Sequence, residues 1–297
     1  PSPLPAADVV AHDGAARLLR HGAEGPAVIL VPSLVNPPSI LDLDADRSLV
    51  RWLAARGFAA HLVDWGRPGA RESGYDLADY VRQLERLIAA TQDAMLVGYC
   101  LGGTLAMAAA ARGHARALVT IAAPWNFDGY PDARRKELAA YWQRVAAVAK
   151  SVGAVPMSMI QPAFWSLDPA APVAKYEHYA TLGPDSTEAR RFEAIEDWAN
   201  GGAPVTLPAM RDALERFFGE NITGRHAWTV AGHSVRPQDV AVPWFNIVST
   251  TDRIVPAAAA PPSPQDLHVA AGHVGMVIGG RAKALLGEPL ADWLRSH

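Results

Sequence analysis

Val97-Gly98-Tyr99-Cys100-Leu101-Gly102-Gly103 has the form G-x-C-x-G and holds the only cysteine of the 297 residues. Ala94-Met95-Leu96-Val97, just before it, is a short apolar run suited to a buried strand, and Leu101 to Arg112, just after, reads as an Ala-rich helix. A nucleophile on so sharp a strand-to-helix turn needs neighbours without side-chain bulk, so that the backbone folds back while the reactive atom points out. The flanking glycines meet that need. The stretch therefore predicts a nucleophile elbow with sulfur in place of the more common serine hydroxyl; the competing reading is a small buried cysteine beside a glycine-rich turn.

Working outward, Val9 to His12, Asp13-Gly14 and Ala15 to Arg20 read as a β-hairpin, because Asp-Gly accepts the positive φ of a tight turn. A regular alternation follows: strand Ala27 to Val31, helix Arg47 to Arg56 closed by Gly57, strand Phe58 to Val63, helix Leu77 to Ala90, the strand before the elbow, and strand Ala117 to Ile121. Such alternation implies a mostly parallel α/β sheet covered on both faces. From Pro124 to about Arg236 the rhythm breaks into a helical stretch without strand runs, carrying Trp125, Trp142, Trp165, Trp198, Phe217, Phe218 and Trp228, aromatics read mainly as core. Strands return at Trp244 to Ser249 and Leu267 to Ala270, before a closing helix from Arg281 to Arg295. This predicts a core of residues 1–123 and 236–297, with 124–235 inserted as a helical cap over the carboxyl ends of the strands, where open α/β sheets bind ligands.

At 31.7 kDa, with 50% apolar and 19% charged residues and a net charge of −3, the chain offers no basic surface for nucleic acid. No apolar run approaches the roughly 18 residues of a membrane span, and the Pro-Ser-Pro-Leu-Pro start has no charged leader. One cysteine excludes an internal disulfide. The expected location is cytoplasmic. His226 and His233 lack cysteine partners or a helical H-E-x-x-H pattern, and there is no phosphate-binding or dinucleotide glycine loop, so neither a metal nor a cofactor is expected.

A thiol elbow needs a base, and the base needs a carboxylate to orient it. Asp252 follows the strand ending at Ser249, and His273, in Ala271-Gly272-His273-Val274-Gly275, follows the next strand. Both thus fall on the sheet edge that carries Cys100, in the order nucleophile, acid, histidine that such elbows take. Asp64, after the strand Phe58 to Val63, is the rival acid, but it precedes the elbow. For the oxyanion, the Leu101 N–H at a helix start supplies one donor. The second comes from Pro32-Ser33-Leu34-Val35-Asn36, with Val35 preferred to Leu34.

These residues resemble the poly(3-hydroxyalkanoate) synthases, α/β-hydrolase-fold acyltransferases with a cysteine nucleophile. The resemblance rests on Leu34-Val35-Asn36 followed by Ile40-Leu41-Asp42-Leu43, on Asp46 to Arg51, on Val63-Asp64-Trp65-Gly66, on Gly98 to Thr104, and on the Asp252 and Gly272-His273-Val274-Gly275-Met276 segments. It implies attack of Cys100 on a 3-hydroxyacyl-CoA thioester, with His273 activating the thiol and, with Asp252, the incoming hydroxyl. Met159, Phe164, Leu167, Pro169, Lys175-Tyr176 and Glu196-Asp197-Trp198 resemble the shorter synthases, which implies a homodimer or a partner subunit and association with polymer granules. Arg253 stands where a histidine is common in that family. Two other readings stay open at this level. One is a cysteine thioesterase or intracellular polyester depolymerase on the same residues; the other is a non-catalytic granule-associated protein, against which the intact Cys100, Asp252 and His273 set argues.

Overall fold

Eight strands with mostly apolar sequences form the spine of the computed structural model, which describes residues 4–22, 24–165, 170–183 and 186–297. Leu167 and Pro169 of the sequence comparison lie outside the described residues. In chain order the sheet strands are β1 (Asp8–Asp13), β2 (Ala16–His21), β3 (Ala27–Val31), β4 (Ala59–Asp64), β5 (Met95–Tyr99), β6 (Ala117–Ile121), β11 (Trp244–Ser249) and β12 (Asp266–Val269). They lie side by side as β1-β2-β4-β3-β5-β6-β11-β12. The hairpin β1-β2 joins β4 antiparallel, and every pairing from β4 through β12 is parallel. The carboxyl ends of β3, β5, β6, β11 and β12 therefore share one edge.

The period of two along a strand divides the core. Ile29, Val31 and Leu96 face a layer containing α2 (Leu77–Ile88) and α3 (Leu101–Ala111), whereas Val28, Leu30 and Val97 face α1 (Leu49–Ala54) and the C-terminal helix. Helix α3 is apolar on all sides because it is buried on all sides, a helix that small alanines allow to pack close to the sheet.

Between β6 and β11 the chain makes α4 (Asp132–Val152), α5 (Met157–Trp165), α6 (Ala170–Ala180), α7 (Thr187–Asn200) and α8 (Leu207–Arg211), which runs on as a π-helical turn over Asp212–Gly219. The stretch is not free of strands, as the sequence reading had it. Two ladders of two residues each occur, β7 (Ala154–Val155) with β8 (Val205–Thr206) and β9 (Thr229–Val230) with β10 (His233–Ser234). Such short segments leave no periodic signal. The helix expected over 47–56 is shortened to α1, because Ser48 is its N-cap and accepts a hydrogen bond from the Arg51 N–H at 3.0 Å, while Arg47 is held outside by Asp44. The closing helix expected over 281–295 is present as one helical run with a π-helical turn at Lys283–Gly287 that passes directly into α10 (Glu288–Arg295); Pro289, which has no N–H to give, sits in the first turn of α10. A further short helix, α9 (Gly275–Ile278), precedes them.

Candidate active site

Cys100 caps α3 with φ 55° and ψ −131°, a left-sided conformation unusual for a side-chain-bearing residue. Its N–H bonds the Ile121 carbonyl at 2.9 Å, and its carbonyl accepts the Gly103 N–H at 2.8 Å, so the turn is pinned from both sides. The neighbouring glycines are required by contact. A Cβ on Gly98 would stand 2.4 Å from the Gly103 Cα, and one on Gly102 would stand 2.2 Å from the Val31 carbonyl oxygen. The elbow thus packs backbone against backbone at the end of β5.

His273 and Asp252 meet beside it. His273 Nδ1 lies 2.5 Å from Asp252 Oδ2, and the other carboxylate oxygen accepts the Ile254 and Val255 N–H groups at 2.7 and 3.0 Å. The Asp252 side chain is fully buried, so these bonds satisfy a charge that water does not reach. Burial pulls His273 toward its neutral form, but the neighbouring Cys100 and the hydrogen bond to the Asp252 carboxylate outweigh it, and the pKa is pushed up to about 10. The Tyr99 ring packs 5.0 Å from the imidazole, and its hydroxyl donates to the His273 carbonyl at 3.2 Å.

The rival acid is engaged elsewhere. Asp64 pairs with Arg17 at 2.5 Å and accepts the Gly66 N–H at 2.9 Å. His226 and His233 are exposed, and among the described residues no group of three His, Cys, Asp or Glu side chains is gathered as a metal would need. No helix among the described residues is long and apolar enough to cross a membrane.

Leu101 is the first residue of α3, so its N–H has no carbonyl one turn back and faces the elbow. The Val35 N–H is held by the Ser33 hydroxyl oxygen at 3.2 Å. Its loop is tied to the helical block: Asn36 Nδ2 donates to the Ala199 carbonyl at 3.2 Å, and Trp198 Nε1 donates to the Pro37 carbonyl at 2.9 Å.

Cys100, Leu101, Val35 and His273 all border one cavity of about 310 Å³, closed on the far side by residues of the helical block such as Ile160, Trp198, Met210 and Phe218. The aromatics of that block divide accordingly. Trp125, Trp142, Phe217 and Trp228 are core, with Phe217 also bordering the cavity; Trp198 and Phe218 border it without being fully buried, and Trp165, read as core from the sequence, is exposed. Sequence reasoning placed the Ser33 loop at the site but missed Tyr99 and Tyr130 as buried phenols bordering the same cavity. Tyr99 could have been noticed as the residue before the nucleophile; Tyr130 lies in an aperiodic connection and gives no such signal.

Comparison with known proteins agrees with this architecture. The chain is 28% identical over 284 residues to the poly(3-hydroxyalkanoate) polymerase subunit PhaC of Haloferax mediterranei, covering 90% of this chain and 58% of the relative. It is 26% identical over 295 residues to the PhaC subunit of Allochromatium vinosum, covering 93% and 82%. The chain thus spans little more than half the length of the haloarchaeal relative. Among solved structures, the alpha/beta hydrolase GrgF from Penicillium superposes with a TM-score of 0.58 at 16% identity over 95% of this chain and 94% of that one. A bromoperoxidase from Bacillus anthracis gives 0.58 at 14% identity over 94% and 95%. At such identity these two establish the fold alone. The alpha/beta hydrolase family model matches residues 28–285, from β3 past β12, and the chain belongs to that family.

Proposed function

We propose that this protein is an acyltransferase of the polyhydroxyalkanoate synthase type, which moves 3-hydroxyacyl groups from CoA thioesters to a hydroxyl acceptor through an acyl-Cys100 intermediate. The observation that carries the proposal is the buried pairing of His273 with the Asp252 carboxylate, with that imidazole and Cys100 bordering one apolar cavity. In the first half-reaction the Cys100 sulfur attacks the thioester carbonyl. A carbon–sulfur bond forms and negative charge moves to the carbonyl oxygen. The Leu101 N–H, at the start of α3, and the Val35 N–H, exchanging its long bond to Ser33 for a charged acceptor, stabilise that oxygen. As the intermediate collapses, the bond to CoA breaks and His273 gives its proton to the departing sulfur.

In the second half-reaction neutral His273 takes the proton of an acceptor hydroxyl, whose oxygen attacks the acyl-cysteine. An ester forms, and the Cys100 thiolate and the His273 imidazolium are regenerated. Asp252 holds the imidazole tautomer through both halves. The apolar walls favour an acyl chain bearing a hydroxyl over free water as acceptor. The reaction uses the CoA thioester as substrate and calls for no bound cofactor. The relatives' designation as polymerase subunits supports assembly with a partner chain or a second copy.

The test is incubation of the pure protein with 3-hydroxybutyryl-CoA, following CoA release, polymer and free acid together, with intact-mass detection of an acyl adduct. Oligomer or polymer in step with CoA, and an adduct absent from Cys100→Ala, are expected. Cys100→Ser should retain only a small fraction of the turnover, since a hydroxyl ionises far less readily than a thiol. Free acid as the sole product would replace the reading by a thioesterase, and a fully active Cys100→Ala protein would remove it.

A further inference from the structure

Tyr130 stands on the connection between β6 and α4 and is 5% exposed. Its ring stacks on Phe127, with centroids 5.7 Å apart and planes 13° apart, and leans on Phe218 at 4.8 Å. Rings on two sides fix its plane, so the direction of the hydroxyl is set by packing. The residue borders the cavity of Cys100 and His273. Its hydroxyl makes no hydrogen bond to a described residue, so a partner for that oxygen would have to come from the cavity that the residue borders.

Of the other polar side chains on this wall, Tyr99 donates to the His273 carbonyl, Asn36 donates to the Ala199 carbonyl, and Ser33 accepts the Val35 N–H. A buried phenol facing an apolar space is costly unless a ligand completes it. Burial first, and then the charges of Cys100 and Asp252, push the Tyr130 pKa well above its ordinary value, so the phenol keeps its proton.

We infer that Tyr130 is a specificity-determining residue: its O–H donates to the hydroxyl oxygen on the β carbon of the acyl group carried at Cys100, selecting 3-hydroxyacyl groups over unsubstituted ones. The inference rests on acyl transfer at Cys100 and names what that site prefers. A site built to bond a substrate hydroxyl discriminates against the analogue that lacks it, because its own polar group is then left unpaired.

The test compares wild type and Tyr130→Phe, which keeps the ring, on 3-hydroxybutyryl-CoA, butyryl-CoA and the p-nitrophenyl esters of 3-hydroxybutyrate and butyrate. The readout is the kcat/KM ratio within each pair. Wild type should prefer the hydroxylated member by about tenfold, and Tyr130→Phe should bring the ratio near one by slowing that member alone. Butyryl rates within about twofold of wild type would show that the variant is folded, since one hydroxyl is all it lacks. Equal loss on both members would make Tyr130 a donor to the carbonyl oxygen and overturn the inference, as would an unchanged ratio. Wild type that cleaves both nitrophenyl esters and neither thioester would remove the CoA-dependent function while the ester pair still decides Tyr130. Wild type inert on all of them would end both.

Discussion

A carboxylate that orients a histidine acts only through that histidine, and this separates Asp252 from Asp64 by consequence as well as by position. Asp252→Asn should lower acyl transfer by about a hundredfold to ten-thousandfold; the upper figure is the cost in a serine triad, where the nucleophile needs more help than a thiol does. Asp64→Asn should leave turnover within about threefold, because that carboxylate only meets Arg17 and its own turn. Steady-state CoA release decides between them, and the reverse ranking would move the acid to β4. The pH profile follows from His273. With its pKa raised to about 10, the imidazolium that in the proposed reaction would protonate departing CoA persists through neutral pH and is lost only as pH rises through that value. CoA release should therefore be level from roughly pH 7 to 9 and fall on the alkaline side. A fall centred near pH 7 would show that the negative partners do not hold the proton. Cys100, Asp252 and His273 were legible in the sequence because each stands just after an apolar strand run. Tyr130 was not: a single polar residue in a connection has no periodicity, and what it faces is decided by distant segments.

At the scale of elements, the elbow is a close approach of three chain segments, and Gly102 is where they touch. A methyl group there would lie 2.2 Å from the Val31 carbonyl oxygen and 2.4 Å from that of Pro32, backbone atoms of β3 and its loop that have no rotamer by which to escape. Gly102→Ala should cost about 3 kcal/mol, the upper end of ordinary overpacking, read as a lower urea midpoint with unchanged slope. A variant as stable as wild type would mean that β3 and α3 are less closely joined than these distances require. The strands were readable because a parallel sheet buried on both faces asks for uninterrupted apolar runs, as in Val28-Ile29-Leu30-Val31. The π-helical turn at Lys283–Gly287 was less so: Arg281 to Arg295 has a continuous helical pattern, and a widened turn inside a helix leaves no mark in that periodicity.

For the whole molecule, acid should be the damaging direction. His21 on β2 and His61 on β4 are 6% and 5% exposed, and each has a ring nitrogen sealed without a partner. Burial lowers both pKa values; for His21 the Asp42 charge works against this, and Arg51 and His61 add to it. The unfolded chain takes up protons at these rings near the ordinary histidine pKa of about 6.5, while the native chain resists them. Stability is then complete above that pH and drains away as pH falls through it. Thermal midpoints at about pH 7.5 and 5.5 should differ for wild type, and less for His61→Leu, which has no proton to gain. An identical acid loss in the variant would place its origin elsewhere. The layered α/β core could be anticipated from alternation, but the cavity could not, since its walls come from segments more than a hundred residues apart, as Asn36 and Ala199 are.

That pair, with Trp198 on Pro37, bears on how the catalyst would keep time. The loop that carries the Val35 amide is fastened to the end of α7, so any movement that lifts α7 to admit a bulky guest withdraws a donor from the reacting oxygen. Admission and chemistry then become alternate strokes of one cycle, in which a growing chain is threaded while the engine is out of gear and extended only after it re-engages. Loosening the fastening with Trp198→Phe should consequently lower kcat more than it raises KM for 3-hydroxybutyryl-CoA. A change confined to KM would show that the two strokes run independently.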